Sequence, residues 1–200
     1  MPIRDRFTGQ IAGVGSTSGV RLVVGRWDSS PWGPFADVMV EDASGHRVLL
    51  APDERTRDFV VATYGFDEVV LEPVQVSGSG QWRVSTPSLD LSLQVGRRTA
   101  LGTLLRAIPP RVATAPAWCA LVDPVARVAL RGVRTRGTAG QGRREWYGAT
   151  SVHEVTALAG SWRGVSLGAL APVDPPCSFG FSSTPRRPSV TSVVTTVERD

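Results

Sequence analysis

Short runs of apolar and β-branched residues alternate along the chain with glycine, serine and proline breaks, the pattern of half-buried strands joined by tight turns. Phe7 to Val14 and Gly19 to Trp27 read as a hairpin around Gly15-Ser16-Thr17-Ser18. Ala36 to Glu41 and His46 to Leu50 read as a second hairpin, with Asp42-Ala43-Ser44-Gly45 as its polar turn and Asp28 to Pro34 as the loop between the pairs. Glu68 to Val76, Gln81 to Ser85 and Leu89 to Val95 give further strands, and the β-branched run Ser189 to Val197 gives the last. Ala117 to Val122, Val125 to Val133 and Glu145 to Leu158 are also read as strands, with a short helix behind Asp123-Pro124 as the alternative for the second. Pro172 to Pro188 is a long proline-rich connection.

Two stretches carry helical spacing instead. Pro52 at a first-turn position, Asp53 and Glu54 at the positive end of the dipole, and Gly65 as a stop predict a helix over 52–64. Leu101, Leu104, Leu105 and Ile108 predict another over 99–108, ended by Pro109-Pro110. The class is therefore mainly β, α+β at the margin: an antiparallel barrel or two packed sheets of about 9–12 strands with one or two helices. Residues 1–200 are read as a single β-rich domain, with 109–116 as the place for any subdivision.

Composition narrows the chemistry. The 200 residues hold 22 Arg and no Lys or Asn. Both missing residues have A-rich codons, so the bias points to a bacterial, high-GC genome, and it removes every mechanism that needs a lysine. No apolar run approaches the roughly 18 residues of a membrane helix, and the charged N-terminus is not a signal peptide. The expected location is the cytoplasm, where Cys119 and Cys177 are free thiols. Residues 1–90 hold 8 Arg against 12 Asp and Glu, residues 91–200 hold 14 against 6, so the halves differ in sign.

Familiar motifs fail on context. Gly13-Val14-Gly15-Ser16-Thr17-Ser18-Gly19 is followed by a strand, not by the helix a dinucleotide turn requires. No Gly-x-Ser-x-Gly elbow occurs, and two histidines with two distant cysteines supply no zinc half-site, so neither a cofactor nor a metal is assigned. Asp37 and Glu41 share one strand face, which reads as solvated. His46 reads as a solvated turn residue. Arg186-Arg187-Pro188-Ser189-Val190 has the form of a basophilic kinase target at Ser189.

The densest chemically capable stretch is Arg143-Arg144-Glu145-Trp146-Tyr147, followed by His153 and Glu154. His153, Glu145 and Tyr147 are the catalytic candidates, and Arg144, Tyr147, His153 and Trp146 the ligand-binding ones. The favoured function is binding of a small hydrophobic or acidic ligand in a barrel or inter-sheet cavity, with cofactor-free catalysis if His153 or a carboxylate has a shifted pKa. The alternative is a binding or assembly protein whose basic C-terminal half meets an acidic partner; nucleic acid is disfavoured for want of any recognition module, and homo-oligomerisation is left open.

Overall fold

The computed structural model describes residues 3–129, 133–138 and 142–199. The chain opens with two antiparallel hairpins, β1 (Ile3–Ser16) with β2 (Arg21–Ser29) and β3 (Phe35–Glu41) with β4 (Arg47–Ala51). Helix α1 (Glu54–Val61) crosses over to β5 (Glu68–Leu71), which lies parallel to β4. A meander follows through β6 (Gln75–Ser77), β7 (Gln81–Ser85) and β8 (Leu89–Arg98). Helices α2 (Ala100–Arg106), α3 (Pro110–Ala113) and α4 (Pro116–Ala129) come next. The chain then runs through β9 (Arg136–Thr138), the long β10 (Arg144–Trp162), short β11 (Val165–Ser166) and β12 (Leu170–Ala171), and ends in β13 (Ser189–Arg199).

These strands form one mixed sheet of 13, ordered β5-β4-β3-β2-β1-β13-β10-β8-β7-β6, with β9 and β11 on β10 and β12 on β1. The mainly β expectation holds, but the sheet is a single one and is not closed. Alternation divides its faces. Val14, Leu22, Val24, Val38, Val40, Val48 and Leu50 point to one side, where the coiled sheet brings Trp82, Leu91, Leu93, Val155, Leu158 and Trp162 from its far half against them. Each fully buried aliphatic side chain there contributes about 1.5–3 kcal/mol.

Local chemistry explains the helix starts. Asp53 caps α1, its carboxylate accepting from Thr56 N at 2.8 Å, and Thr99 Oγ1 accepts from Gly102 N at 3.0 Å to start α2. The strands read over Ala117–Val122 and Val125–Val133 are instead helix α4, and its short predecessor α3 also went unread; residues 130–132 lie outside the described residues. Pro124, read as the start of a short alternative helix, lies inside α4, and the bond it removes is offset by tertiary partners. Asp123, just before it, accepts from Thr135 N at 2.9 Å and pairs with Arg127 Nε at 2.7 Å, and the Cys119 carbonyl accepts from Thr135 Oγ1.

The proline-rich connection is fastened from below by a buried ion pair. Arg21 Nη2 lies 3.1 Å from Glu41 Oε1, and both side chains are buried. Arg21 Nη1 donates to Pro175 O, while Ser178 N donates to Glu41 Oε2 at 2.7 Å. Glu41 is therefore a structural anchor rather than a solvated strand residue. No helix among the described residues is long and apolar enough to cross a membrane. Cys119 and Cys177 are free and buried, and burial raises both thiols, to about 11 and about 12.

Candidate functional site

The other face of β1, β2, β3, β13 and the first part of β10 does not meet a second sheet. It floors a cavity of about 570 Å³. Phe7, Ile11, Val23, Trp27, Met39, Val193 and Val152 line the floor. The roof comes from Phe59 of α1, Leu101 and Leu105 of α2, Trp118 and Val122 of α4, and the connection from Cys177 to Pro185. Leu104 and Val125 belong to this lining yet are 64% and 67% exposed, so the mouth lies between α2 and α4. A concave, largely apolar wall with a few polar groups is the usual form of a small-molecule site.

Asp37 is the first of those groups. It sits on β3 between Phe35 and Met39, only 3% exposed, and Trp27 Nε1–H donates to its Oδ1 at 2.9 Å. Among the described residues this is its one side-chain hydrogen bond, which leaves Oδ2 to the cavity. Burial pushes the carboxyl from its ordinary value near 3.8 up to about 7, and the Trp27 bond only partly offsets that. Gly25, opposite Asp37 on β2, makes the arrangement fit: a Cβ there would lie 2.4 Å from Asp37 Oδ1 and 2.6 Å from Trp27 Nε1. Gly25→Ala is therefore expected to force the pair apart and cost about 1–3 kcal/mol, read as a lower urea midpoint together with altered Trp27 fluorescence. An unchanged midpoint would show that the pair yields freely.

A second polar group lines the same cavity. Tyr64, just after α1, and Tyr147, on β10, bring their hydroxyl oxygens to 2.5 Å, and both reach Glu145, Tyr147 at 3.0 Å and Tyr64 at 3.2 Å from Oε2. Glu145 is 1% exposed. Burial raises its carboxyl to about 7, against the two tyrosine bonds and the Arg143 charge, which lower it. Both phenols are raised well above 10, first by burial and then by the Glu145 charge; the Asp37 charge also reaches Tyr64.

Counting protons shows what this group offers. One hydroxyl proton must lie on the short Tyr64–Tyr147 contact, and the other tyrosine proton goes to Glu145. When Glu145 is neutral the group holds three protons for its three contacts, and a ligand oxygen would accept one of them by displacing the longest, Tyr64–Glu145. Three further wall hydroxyls, on Thr184, Ser189 and Thr195, have no partner among the described residues. Buried hydroxyls are normally paired, so these add unused hydrogen-bonding capacity to the wall.

No family model, curated protein or solved structure matches the chain.

The structure brings only some of the sequence candidates to this site. Glu145 and Tyr147 line the cavity, whereas Arg144 and Trp146 alternate to the opposite face, where Arg144 reaches Glu198 at 2.5 Å. His153 is half-buried outside the wall, because β10 shifts register between Ala149 and Ser151 and again after His153. The first shift gives β10 one extra residue and reverses the face that later side chains show, whereas at the shift after His153 the extra residue is on β8. Asp37, Trp27 and Tyr64 were missed as site residues. Asp37 is not solvated, since the helices covering its face come from remote parts of the sequence.

Other expectations change as well. His46 is half-buried, with Nε2 3.2 Å from Glu68 Oε2. Ser189 is 3% exposed in a paired strand and faces the cavity, so a kinase cannot reach it in this fold. The arginines between 127 and 144 do not make one outward surface. Arg143 donates inward to Phe59 O and Thr63 Oγ1, Arg134 lies in the cavity wall, Arg127 pairs with Asp123, and Arg131 lies outside the described residues.

Proposed function

We propose that this protein binds a small, lipophilic, uncharged molecule in the cavity between the sheet and helices α1, α2 and α4, holding it by one or two oxygen atoms. The observation that supports this best is the pairing of an apolar wall with two buried carboxyl sites, Asp37 and the Tyr64–Glu145–Tyr147 group, that line one space. Apolar burial supplies affinity, and the few polar groups fix orientation. An acidic ligand fits less well than a neutral one. Its charge would face Asp37 and Glu145, and the one basic residue among the described lining is Arg134. The assembly alternative has less support, because the arginines on which it rests are divided between the cavity wall, internal bonds and the outer surface.

Titration with the neutral dye Nile red tests this reading. Wild type is expected to bind it saturably, with the blue-shifted emission of an apolar site. Ile11→Trp, which fills the middle of the floor, and Ala126→Phe, which narrows the roof, are expected to weaken binding at least about tenfold, since each removes volume the dye needs. Saturable binding that neither variant alters would place the dye elsewhere and remove the support for the cavity.

A further inference from the structure

Resting on that reading of the cavity, we infer that the site does chemistry on its ligand: it moves a proton at the carbon beside a carbonyl group of a lipophilic ketone, with Asp37 as the base and the Tyr64–Tyr147–Glu145 group holding the carbonyl oxygen.

Enolisation needs two things at once: a base at the carbon, and a hydrogen-bond donor where negative charge builds on oxygen. The cavity holds one of each, set apart. Asp37 presents a carboxyl oxygen that no described side chain occupies, on a carboxyl whose other oxygen is fixed by Trp27. Gly25 keeps the space that lets this bond form. The tyrosine–glutamate group is built differently, with three protons shared over three mutual contacts, of which the longest, Tyr64–Glu145, is the one a carbonyl oxygen would replace as acceptor. A carboxyl kept neutral by an apolar site, so that it donates a hydrogen bond, is an established way of stabilising an enolate oxygen. The remaining ionisable lining groups are Cys177, raised by burial, and Arg134.

The step balances without an oxidant, reductant or cofactor. The Asp37 carboxylate takes a proton from the carbon next to C=O. The C–H electron pair becomes a C=C bond, the carbonyl π pair moves onto oxygen, and the Tyr64–Tyr147–Glu145 donor holds that oxygen. Exchange of the Asp37 proton with solvent, followed by its return to the same carbon, regenerates the ketone with a solvent-derived hydrogen. In an unsaturated ketone, return to the distal carbon moves the double bond into conjugation.

The test is hydrogen–deuterium exchange at the α-carbons of 2-decalone and 2-undecanone in D2O, followed by NMR, alongside Nile red titration of the same samples. Wild type is expected to speed exchange on the order of a hundredfold over the buffer rate. The rate should pass through a maximum near pH 7, since Asp37 must be ionised while Glu145 keeps its proton. Asp37→Asn should abolish the acceleration in a protein that still unfolds cooperatively in urea, and Tyr147→Phe should reduce it at least about tenfold. Dye binding with both ketones exchanging at the buffer rate would overturn the chemistry and leave the binding reading standing. Acceleration that survives in Asp37→Asn would overturn the assignment of the base. Loss of dye binding in wild type would remove the reading itself.

Discussion

Arg21→Ala is expected to cost about 3–5 kcal/mol of unfolding free energy, since it leaves Glu41 as a buried charge without its partner. The two side chains lie 3.1 Å apart and each is only 6% exposed. The loss spreads beyond the pair. Arg21 also donates to the carbonyls of Pro175 and Asp42, and Glu41 accepts from both Ser178 N and Ser178 Oγ, so the connection over the cavity is released along with it. The double replacement Arg21→Met with Glu41→Leu removes both charges and should recover most of the loss, as buried pairs exchanged for apolar residues of similar volume commonly do. Urea unfolding at neutral pH measures each variant. A cost below about 1 kcal/mol for Arg21→Ala would mean that water reaches the pair and screens it.

Asp37→Asn is expected to change stability in the opposite direction, by an amount that depends on pH. The substituted amide would keep an oxygen for the Trp27 donor while removing the ionisation. The folded carboxyl titrates at about 7 and the unfolded one near 3.8, so the folded state holds its proton more tightly. Stability is then fully present below the unfolded value and is lost as pH rises through about 7. Converted at the usual free energy per pKa unit, wild type carries a penalty of roughly 4 kcal/mol at pH 8 and less than about 1 kcal/mol at pH 4. The variant should therefore unfold at a higher urea concentration than wild type at pH 8, with the gap nearly closed at pH 4. A gap of the same size at both values would show that Asp37 titrates normally.

Much of the fold is legible in the sequence because the sheet obeys simple alternation where its strands are short. Gln81–Ser85 is a strand with the bounds its pattern gives, and the hairpin turns fall where the glycines and Asp42 place them. Alternation fails where long-range packing decides. In α4 the residues Trp118, Val122 and Ala126 face the cavity at helical spacing, but Pro124 and the β-prone valines mask that period. The open sheet likewise depends on how its two halves coil around Leu22, Val38, Leu91 and Leu93, which no local pattern encodes.

The site was half legible for the same reason. Glu145 and Tyr147 stand two apart on a straight stretch of β10, so they keep a common face. Arg144 is one position out of phase, and His153 lies beyond a register shift. Asp37 carried a local signal that spacing alone could have used: it alternates in phase with Phe35 and Met39, both large and apolar. That face becomes a cavity floor only because α1, α2 and the connection before β13 fold over it. Tyr64 reaches Tyr147 across 83 positions of sequence, and such pairings have no local trace.

The central claim is that a neutral lipophilic molecule occupies the cavity beside Asp37 and Glu145. Native mass spectrometry after incubation with 2-decalone, 2-undecanone and Nile red tests it most directly, with wild type and Ile11→Trp measured side by side. The account predicts one bound molecule per wild-type chain, released by heating or organic solvent, and the bare mass for Ile11→Trp. Bare wild-type chain with all three compounds, or equal adducts on both proteins, would contradict it.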